Sequence, residues 1–221
     1  TAELLKASLF VARTRGLYPI RQMNFACGPD SIKFFMEREI FDRADKPFLH
    51  LVTDAQTNSA PFATRAEAHE RIVAQSFPRP VQSYTELLPP LPKASKGNDR
   101  TWILPSMGHL NRLGSSLLRH WGIRAVAIPT AGTSAREWAR RTIPVETCYP
   151  LKGVTGDVLA FLEAESTRIG RQAVLDQYAV FLPRASGPCR LGKYDEVLRH
   201  CLAQAGFGEL PVLGPHIGKN Y

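Results

Sequence analysis

Short apolar runs alternate along this chain with segments whose apolar residues recur at helical spacing. The runs FLHLVTD (48–54), TWILPS (101–106), AVAIPT (125–130) and YAVFLP (178–183) have the length and composition of buried strands. Two shorter strands are predicted at 18–26 and 210–215, and helices are predicted over 2–12, 31–41, 64–77, 109–122, 134–141, 148–166 and 189–206. Strands that alternate with helices are typical of parallel sheets covered by helices.

The predicted fold class is therefore α/β, with two Rossmann- or flavodoxin-like lobes whose parallel sheets are flanked by helices. Residues 78–100 separate the two halves, since they contain five prolines and end in a polar stretch. Proline is excluded from helix interiors, so this segment is predicted to be extended. The sequence thus predicts a first lobe over 1–88, a Pro-rich linker over 89–100 and a second lobe over 101–221.

The charge balance limits the classes of partner. The chain has 221 residues with 28 Lys and Arg and 20 Asp and Glu, a net charge of +8. Such a basic surface favours an anionic partner, which can be nucleic acid, an acidic protein face or a phosphate-rich ligand such as coenzyme A. Nucleic acid is the least favoured of the three, because Arg140-Arg141 is the only pair of adjacent basic residues in the sequence.

Other sequence properties exclude further classes. No run of about 18 uncharged apolar residues is present, so no membrane span is predicted. Four cysteines in 221 residues are too few for a disulfide scaffold, and the chain has no secretory signal pattern, so a cytoplasmic protein is predicted. The sequence starts with TAELLKASLF rather than Met, which predicts a piece of a longer polypeptide.

Three of the four cysteines share one context. Cys27, Cys148 and Cys189 each lie in a Gly- or Pro-containing turn directly before a predicted helix, and the first and third also follow predicted strands. The carboxyl edge of a parallel sheet is where ligands bind. Backbone N–H groups at a helix N-terminus favour a thiolate and can donate hydrogen bonds to cluster sulfurs. The pattern indicates a shared metal or cluster site, while buried packing of ordinary thiols remains the alternative.

Cys201 differs from the other three cysteines. It lies inside a predicted amphipathic helix, in phase with Val197, Leu198 and Leu202. The sequence therefore predicts that Cys201 is a small core residue and not a ligand.

The segments around the three turn cysteines resemble a known family. They read Cys27-Gly-Pro-Asp-Ser, Glu146-Thr-Cys148-Tyr-Pro and Ser186-Gly-Pro-Cys189-Arg-Leu-Gly-Lys-Tyr. With Lys46-Pro-Phe-Leu-His-Leu, Thr64-Arg65 before a helix and Pro105-Ser-Met-Gly-His109, they resemble the 2-hydroxyacyl-CoA dehydratase and benzoyl-CoA reductase D-component family. The likeness is closest to the C-terminal region of the large CoA-substrate-specific enzyme activases, and it runs from about residue 18 to 213.

The resemblance implies a low-potential, oxygen-sensitive iron–sulfur protein of anaerobic metabolism. Its ligands would be Cys27, Cys148 and Cys189, holding a [4Fe–4S] cluster at the junction of the lobes or a double-cubane cluster shared across a homodimer. It also implies an ATP-dependent activator as electron donor and an acyl-CoA as substrate. The chain lacks the phosphate motif of the family's ATPase half, so we expect no ATP hydrolysis by it.

Two other functions remain open at this point. Where the family usually has an acidic residue and His after Asp54, this chain reads Ala55-Gln56-Thr57, which favours a docking module without a cluster. An α/β protein that binds nucleic acid is the third possibility and depends on charge alone.

Two further residues are candidates for the same site. His109 follows a predicted strand and is expected to face the cleft, although a capping role is an equal alternative. Arg190 adjoins Cys189 and is expected to stabilise an anionic cluster or bind phosphate, unless it pairs with a surface acid. The three tryptophans, Trp102, Trp121 and Trp138, are predicted to be packing residues.

Overall fold

The structure of the chain is a computed structural model that describes residues 2–23, 29–53, 59–81, 83, 87, 99–145, 147–185 and 190–217. The chain divides into two compact units. The first contains Thr1–Pro90 and Glu146–Cys148, and the second contains Leu91–Val145 and Tyr149–Tyr221. Residues 89–98 of the predicted linker lie outside the described part of the chain.

The first unit is built on a pair of parallel strands. Its elements in chain order are α1 (Ala2–Arg13), β1 (Ile20–Met23), α2 (Pro29–Arg43), β2 (Leu49–Val52) and α3 (Ala60–Ala74). β1 and β2 pair in parallel, with Ile20 opposite Leu49 and Met23 opposite Val52. Parallel neighbours require a crossover connection, and α2 supplies it.

Aromatic side chains form the core between α2 and β2. The ring of Phe48, just before β2, lies 5.6 Å from Phe34 and 5.0 Å from Phe41. Phe41 also belongs to a buried cluster with Ala12 of α1 and Leu87. The burial of these large side chains stabilises the unit, since each aromatic ring removes a large apolar area from water.

Lys46 ties the end of α1 to the α2–β2 connection. Its Nζ donates to the carbonyl oxygens of Val11 at 2.6 Å and Thr14 at 2.7 Å. These two carbonyls lie at the end of α1 and just after it, and they also accept the backbone N–H groups of Thr14 and Leu17, so the buried ammonium gives each carbonyl a second donor. Burial lowers the pKa of Lys46.

α3 begins earlier than the sequence predicted. The expectation that Thr64-Arg65 precedes a helix is wrong, because both residues lie within α3, which starts at Ala60. Pro61 explains the difference. A proline in the first helical turn leaves no extra donor unsatisfied and has a suitable φ.

The second unit contains a four-stranded parallel sheet. Its elements in chain order are β3 (Thr101–Leu104), α4 (Leu110–His120), β4 (Ala125–Ala127), α5 (Thr133–Thr142), α6 (Tyr149–Ile169), α7 (Arg171–Gln177), β5 (Tyr178–Phe181), β6 (Arg184–Ala185), a 3-10 helix (Arg190–Lys193), α8 (Tyr194–Gln204), β7 (Val212–Leu213) and β8 (His216–Ile217). The sheet has the order β4-β3-β5-β7, and β6 pairs with β8, all in parallel. The predicted α/β class, with parallel sheets flanked by helices, is confirmed.

Three short elements were not predicted. α7 follows Gly170, whose φ of 87° ends α6 and turns the chain before a second helix begins. β6 and β8 are two residues each, too short for any apolar periodicity to mark them.

The tryptophan prediction holds only in part. Trp102 and Trp138 are half-buried, but Trp121 is 69% exposed. Its prediction as a packing residue is therefore wrong, because Trp121 is the C-cap residue of α4 and its side chain lies largely in solvent. Among the described residues, no helix is both long and apolar enough to cross a bilayer.

Candidate functional site

The strand order of the second unit defines one edge of its sheet as the place for a ligand. From β3 the chain moves outward to β4, and it then crosses back to β5 on the other side of β3. In open parallel sheets, ligands bind at the carboxyl edge where the direction of winding reverses. The loops that follow β3 and β5 lie at this edge. The loop after β3 contains His109, and the loop after β5 leads to β6, which precedes Cys189 in the chain.

His109 lies at the carboxyl edge of β3, directly before α4. It is exposed and is the N-cap residue of that helix, although its side chain makes no capping hydrogen bond. The predicted capping role is therefore not observed. On the same edge, the hydroxyls of Ser106 and Thr130 lie 3.0 Å apart and connect the loops after β3 and β4.

Cys189 lies outside the described residues, but both flanking segments are described. Ala185 ends β6 before it, and the 3-10 helix begins at Arg190 after it. The side chain of Arg190 is likewise outside the described part. The described contacts that flank Cys189 in the chain are those between β6 and the 3-10 helix.

Arg184 joins these two segments. Its Nε donates to the carbonyl oxygen of Gly192 at 3.3 Å and lies 3.2 Å from Oδ1 of Asp195, while Nη2 donates to Glu196 at 3.0 Å. One guanidinium thus connects β6 with the 3-10 helix and the first turn of α8. Such planar, multidentate contacts are what Arg provides better than Lys.

The backbone contact beside this guanidinium is also close. A Cβ added to Gly192 would lie less than 3.0 Å from the carbonyl oxygen of Ala185. Only glycine therefore allows the 3-10 helix to approach β6 this closely. This contact and Arg184 together hold Ala185 of β6 and Gly192 of the 3-10 helix close to one another.

Asp195 is the buried charge of the same cluster. Burial raises the pKa of its carboxyl group, and the guanidinium groups of Arg184 and Arg199 partly offset that rise. The carboxylate thus depends on its two arginines. Removing either one leaves a buried charge less well compensated.

Cys148 lies directly before the first residue of the 21-residue helix α6. It is 7% exposed, so its thiol is shielded from bulk water. The preceding Thr147 is also buried, and its Oγ1 has no hydrogen-bond partner among the described residues. A buried hydroxyl without a partner is costly, so this position is one where an additional acceptor would be favourable.

Cys27 lies outside the described residues, in the connection between the carboxyl end of β1 at Met23 and the start of α2 at Pro29. This is the predicted location, between a strand and a helix. Nothing further is described of its surroundings.

Cys201 is a core residue, as the sequence predicted. It is fully buried in α8, and its Sγ donates to the carbonyl oxygen of Thr142 at 3.6 Å. Its neighbours Val197, Leu198 and Leu202 are buried with it.

Within the described ranges, no three His, Cys, Asp or Glu side chains are grouped as metal ligands. Two of the three predicted cysteine ligands lie outside those ranges, so the complete ligand set is not represented. Iron–sulfur clusters are usually held by four cysteine thiolates, so the three turn cysteines would supply three of the four ligands.

Asp157 is a buried acid that sequence reasoning missed. It lies on α6, and its Oδ1 accepts the backbone N–H of Ala131 at 2.7 Å, which holds the loop between β4 and α5. Burial raises the pKa of Asp157, and the Ala131 hydrogen bond opposes this. The one available signal was an acid inside the apolar run VTGDVLAFL.

Comparisons of the chain with protein-family models, curated proteins and solved structures found no match. Function must therefore be inferred from the residues and their surroundings.

Proposed function

We propose that the chain is the iron–sulfur component of an ATP-dependent 2-hydroxyacyl-CoA dehydratase or activase-type reductase system. Cys27, Cys148 and Cys189 are its proposed ligands, and the bound [4Fe–4S]-type or double-cubane cluster would carry single electrons. An ATP-dependent activator is the proposed electron donor. An acyl-CoA is the proposed substrate class, and the net charge of +8 suits its phosphates.

One observation carries the proposal: each of these cysteines comes immediately before a helix. α6 begins one residue after Cys148, the 3-10 helix one residue after Cys189, and α2 two residues after Cys27. The first N–H groups of a helix have no partner within it, so they can donate to anionic sulfur. The fourth cysteine, inside α8, has no such neighbours.

The residues around Cys148 support the same role. Its burial would exclude water from a thiolate ligand, and the neighbouring residue in the chain, Thr147, has a buried hydroxyl without a hydrogen-bond partner among the described residues. Thiolate clusters of low potential are sensitive to oxygen and solvent. A reducing cytoplasm is therefore the compartment that we propose.

The test is the amount of iron and acid-labile sulfide per chain after anaerobic reconstitution, with EPR of the reduced sample. We expect about four irons per chain for a [4Fe–4S] cluster. Cys27→Ala, Cys148→Ala and Cys189→Ala should each abolish cluster binding. Cys201→Ala is the matched control, since it removes a buried thiol that is not a proposed ligand, and it should retain the iron. Equal iron content in all four variants would contradict the proposal.

The alternative is a docking module of the same system that lacks a cluster. The altered stretch Ala55-Gln56-Thr57 favours it. In that case the reconstituted wild-type chain would contain no iron and would keep its fold.

A further inference from the structure

α4 presents apolar side chains to solvent in a continuous row. We call this the α4 apolar row, and its members are Leu110, Leu113, Leu117 and Trp121. Their spacing of three, four and four residues places them on one face of a helix. Each is between 45% and 72% exposed, and aligned exposed residues of this size mark interaction sites more often than scattered ones do.

The face of α4 that packs inward combines Leu118 with small and polar residues. Asn111 and Ser115 are buried, and Nδ2 of Asn111 donates to the carbonyl oxygen of Ile128 at 3.3 Å. A Cβ added to Gly114 would lie 2.9 Å from a side-chain carbon of Leu104 on β3. A larger residue at position 114 would therefore displace the Leu104 side chain. Rotating α4 to bury the row would break the Asn111 hydrogen bond, so the outward direction of the row is built into the fold.

Basic residues share the exposed surface of α4. The helix has no acidic residue, and Arg112, Arg119 and His120 are all exposed. Nη2 of Arg119 donates to Oγ of Ser116 at 3.3 Å, which draws this guanidinium toward the row. A partner for this surface must supply apolar residues along its centre and negative charge along its side.

We propose that α4 is a docking surface for an acidic amphipathic helix of a partner protein. Apolar residues on such a helix would cover the α4 apolar row, and its Asp and Glu side chains would face Arg112 and Arg119. A second copy of this chain fits less well, because a two-fold contact through α4 would bring the same basic residues together. The docking proposal requires no cluster. A negative result in the iron measurements therefore leaves it standing, and a negative result in the docking measurements leaves the cluster proposal standing.

The test uses the full chain and a synthetic helical peptide with leucine along one face and glutamate on both sides of it. Binding is followed by anisotropy of the labelled peptide and by the fluorescence of Trp121, whose emission should shift to shorter wavelength as its indole leaves water. We expect saturable binding that weakens as the salt concentration rises. A peptide of the same composition with its leucines scattered around the helix should bind much more weakly.

Leu113→Asp should weaken peptide binding about tenfold or more, since it places a charge in the centre of the row. Ile72→Asp on α3 is the matched control, because Ile72 is 56% exposed and Leu113 is 59% exposed, and the change in charge is the same. Leu117→Gln provides a second, uncharged variant if Leu113→Asp is not folded by circular dichroism. Unchanged binding in the folded row variant, or equal binding by the scattered peptide, would overturn the proposal.

Sedimentation tests whether a second copy of this chain, rather than a partner protein, covers the α4 apolar row. We expect that the wild-type chain forms no dimer through this row, so Leu113→Asp should not change its sedimentation. A dimer lost in Leu113→Asp and kept in Ile72→Asp would assign the α4 apolar row to a second copy and overturn the proposed partner.

Discussion

Gly156 of α6 lies against the carbonyl group of Ala135 in α5, so closely that a Cβ on Gly156 would be less than 3.0 Å from that oxygen. The two helices can approach one another at this point only because residue 156 has no side chain. Gly153, one turn earlier on α6, has no atom within 4 Å of the equivalent position. A methyl group therefore has no space at Gly156 but is accommodated at Gly153, although both glycines lie on the same helix.

Gly156→Ala should lower the free energy of unfolding by about 3 kcal/mol, the upper end of the usual cost of overpacking, because backbone must move to accommodate the methyl group. Gly153→Ala should raise it by about 0.5–1 kcal/mol through better helix propensity. Urea unfolding of both variants measures the difference. A similar change in both would show that the α5–α6 contact does not limit stability.

Lys46→Met should lower the free energy of unfolding by about 2–3 kcal/mol, since the variant keeps the apolar stem but removes two hydrogen bonds from a charged donor and leaves the carbonyls of Val11 and Thr14 with their backbone donors alone. Lys6→Met is the control. Lys6 pairs with Glu3 on the exposed surface of α1, and such pairs contribute at most about 0.5 kcal/mol. Equal urea midpoints for the two variants would argue against Lys46 as a cap of α1.

Stability should depend on pH through Asp157, because burial raises the pKa of its carboxyl group above the usual 3.8. As the pH rises above 3.8, the unfolded chain loses this proton first, while the folded chain keeps it until the raised pKa is reached. Stability from this group is therefore lost as the pH rises through that window. Asp157→Asn keeps an oxygen acceptor for the Ala131 N–H and removes the titration. The variant should gain stability relative to wild type between acid and neutral pH, measured by urea unfolding, and a pH-independent difference would contradict this.

Gly192→Ala should weaken iron retention about tenfold in the reconstituted chain, because the added methyl group pushes the 3-10 helix away from Ala185 and moves the segment that carries Cys189. This expectation depends on the proposed cluster. Chelator competition measures it, with Gly153→Ala as the control that should retain iron like the wild type. Unchanged retention in Gly192→Ala would show that the contact with β6 does not position Cys189.

The spacing of apolar residues predicted helices and strands well where one face of the element is buried and the other is exposed. Cys201 was correctly placed in the core because it shares its spacing with apolar residues of α8 that are all buried. The same reasoning predicted a helix for residues 109–122 but could not tell which face packs. There Gly114 lies against Leu104 and Ser115 is buried. The apolar residues Leu110, Leu113 and Leu117 are exposed instead.

Side-chain contacts between segments that are separated along the chain could not be predicted from the sequence. Nothing in the spacing of Asp157 and Ala131 indicates that one accepts the other's N–H, and nothing places Arg184 across from Gly192. The helices that follow the three cysteines in the chain were predictable because Gly, Pro and helical periodicity are local signals. Side-chain partners depend on packing that is established only once the sheet has formed.

The four-stranded sheet ends on β4, with three residues, and on β7, with two. Strands this short present few unpaired N–H and C=O groups, so a strand from another molecule would gain little by pairing along either border. Growth of this four-stranded sheet by pairing with another molecule is therefore disfavoured. For this sheet, recognition by another protein falls to the helices that cover it, where side chains rather than backbone determine what binds.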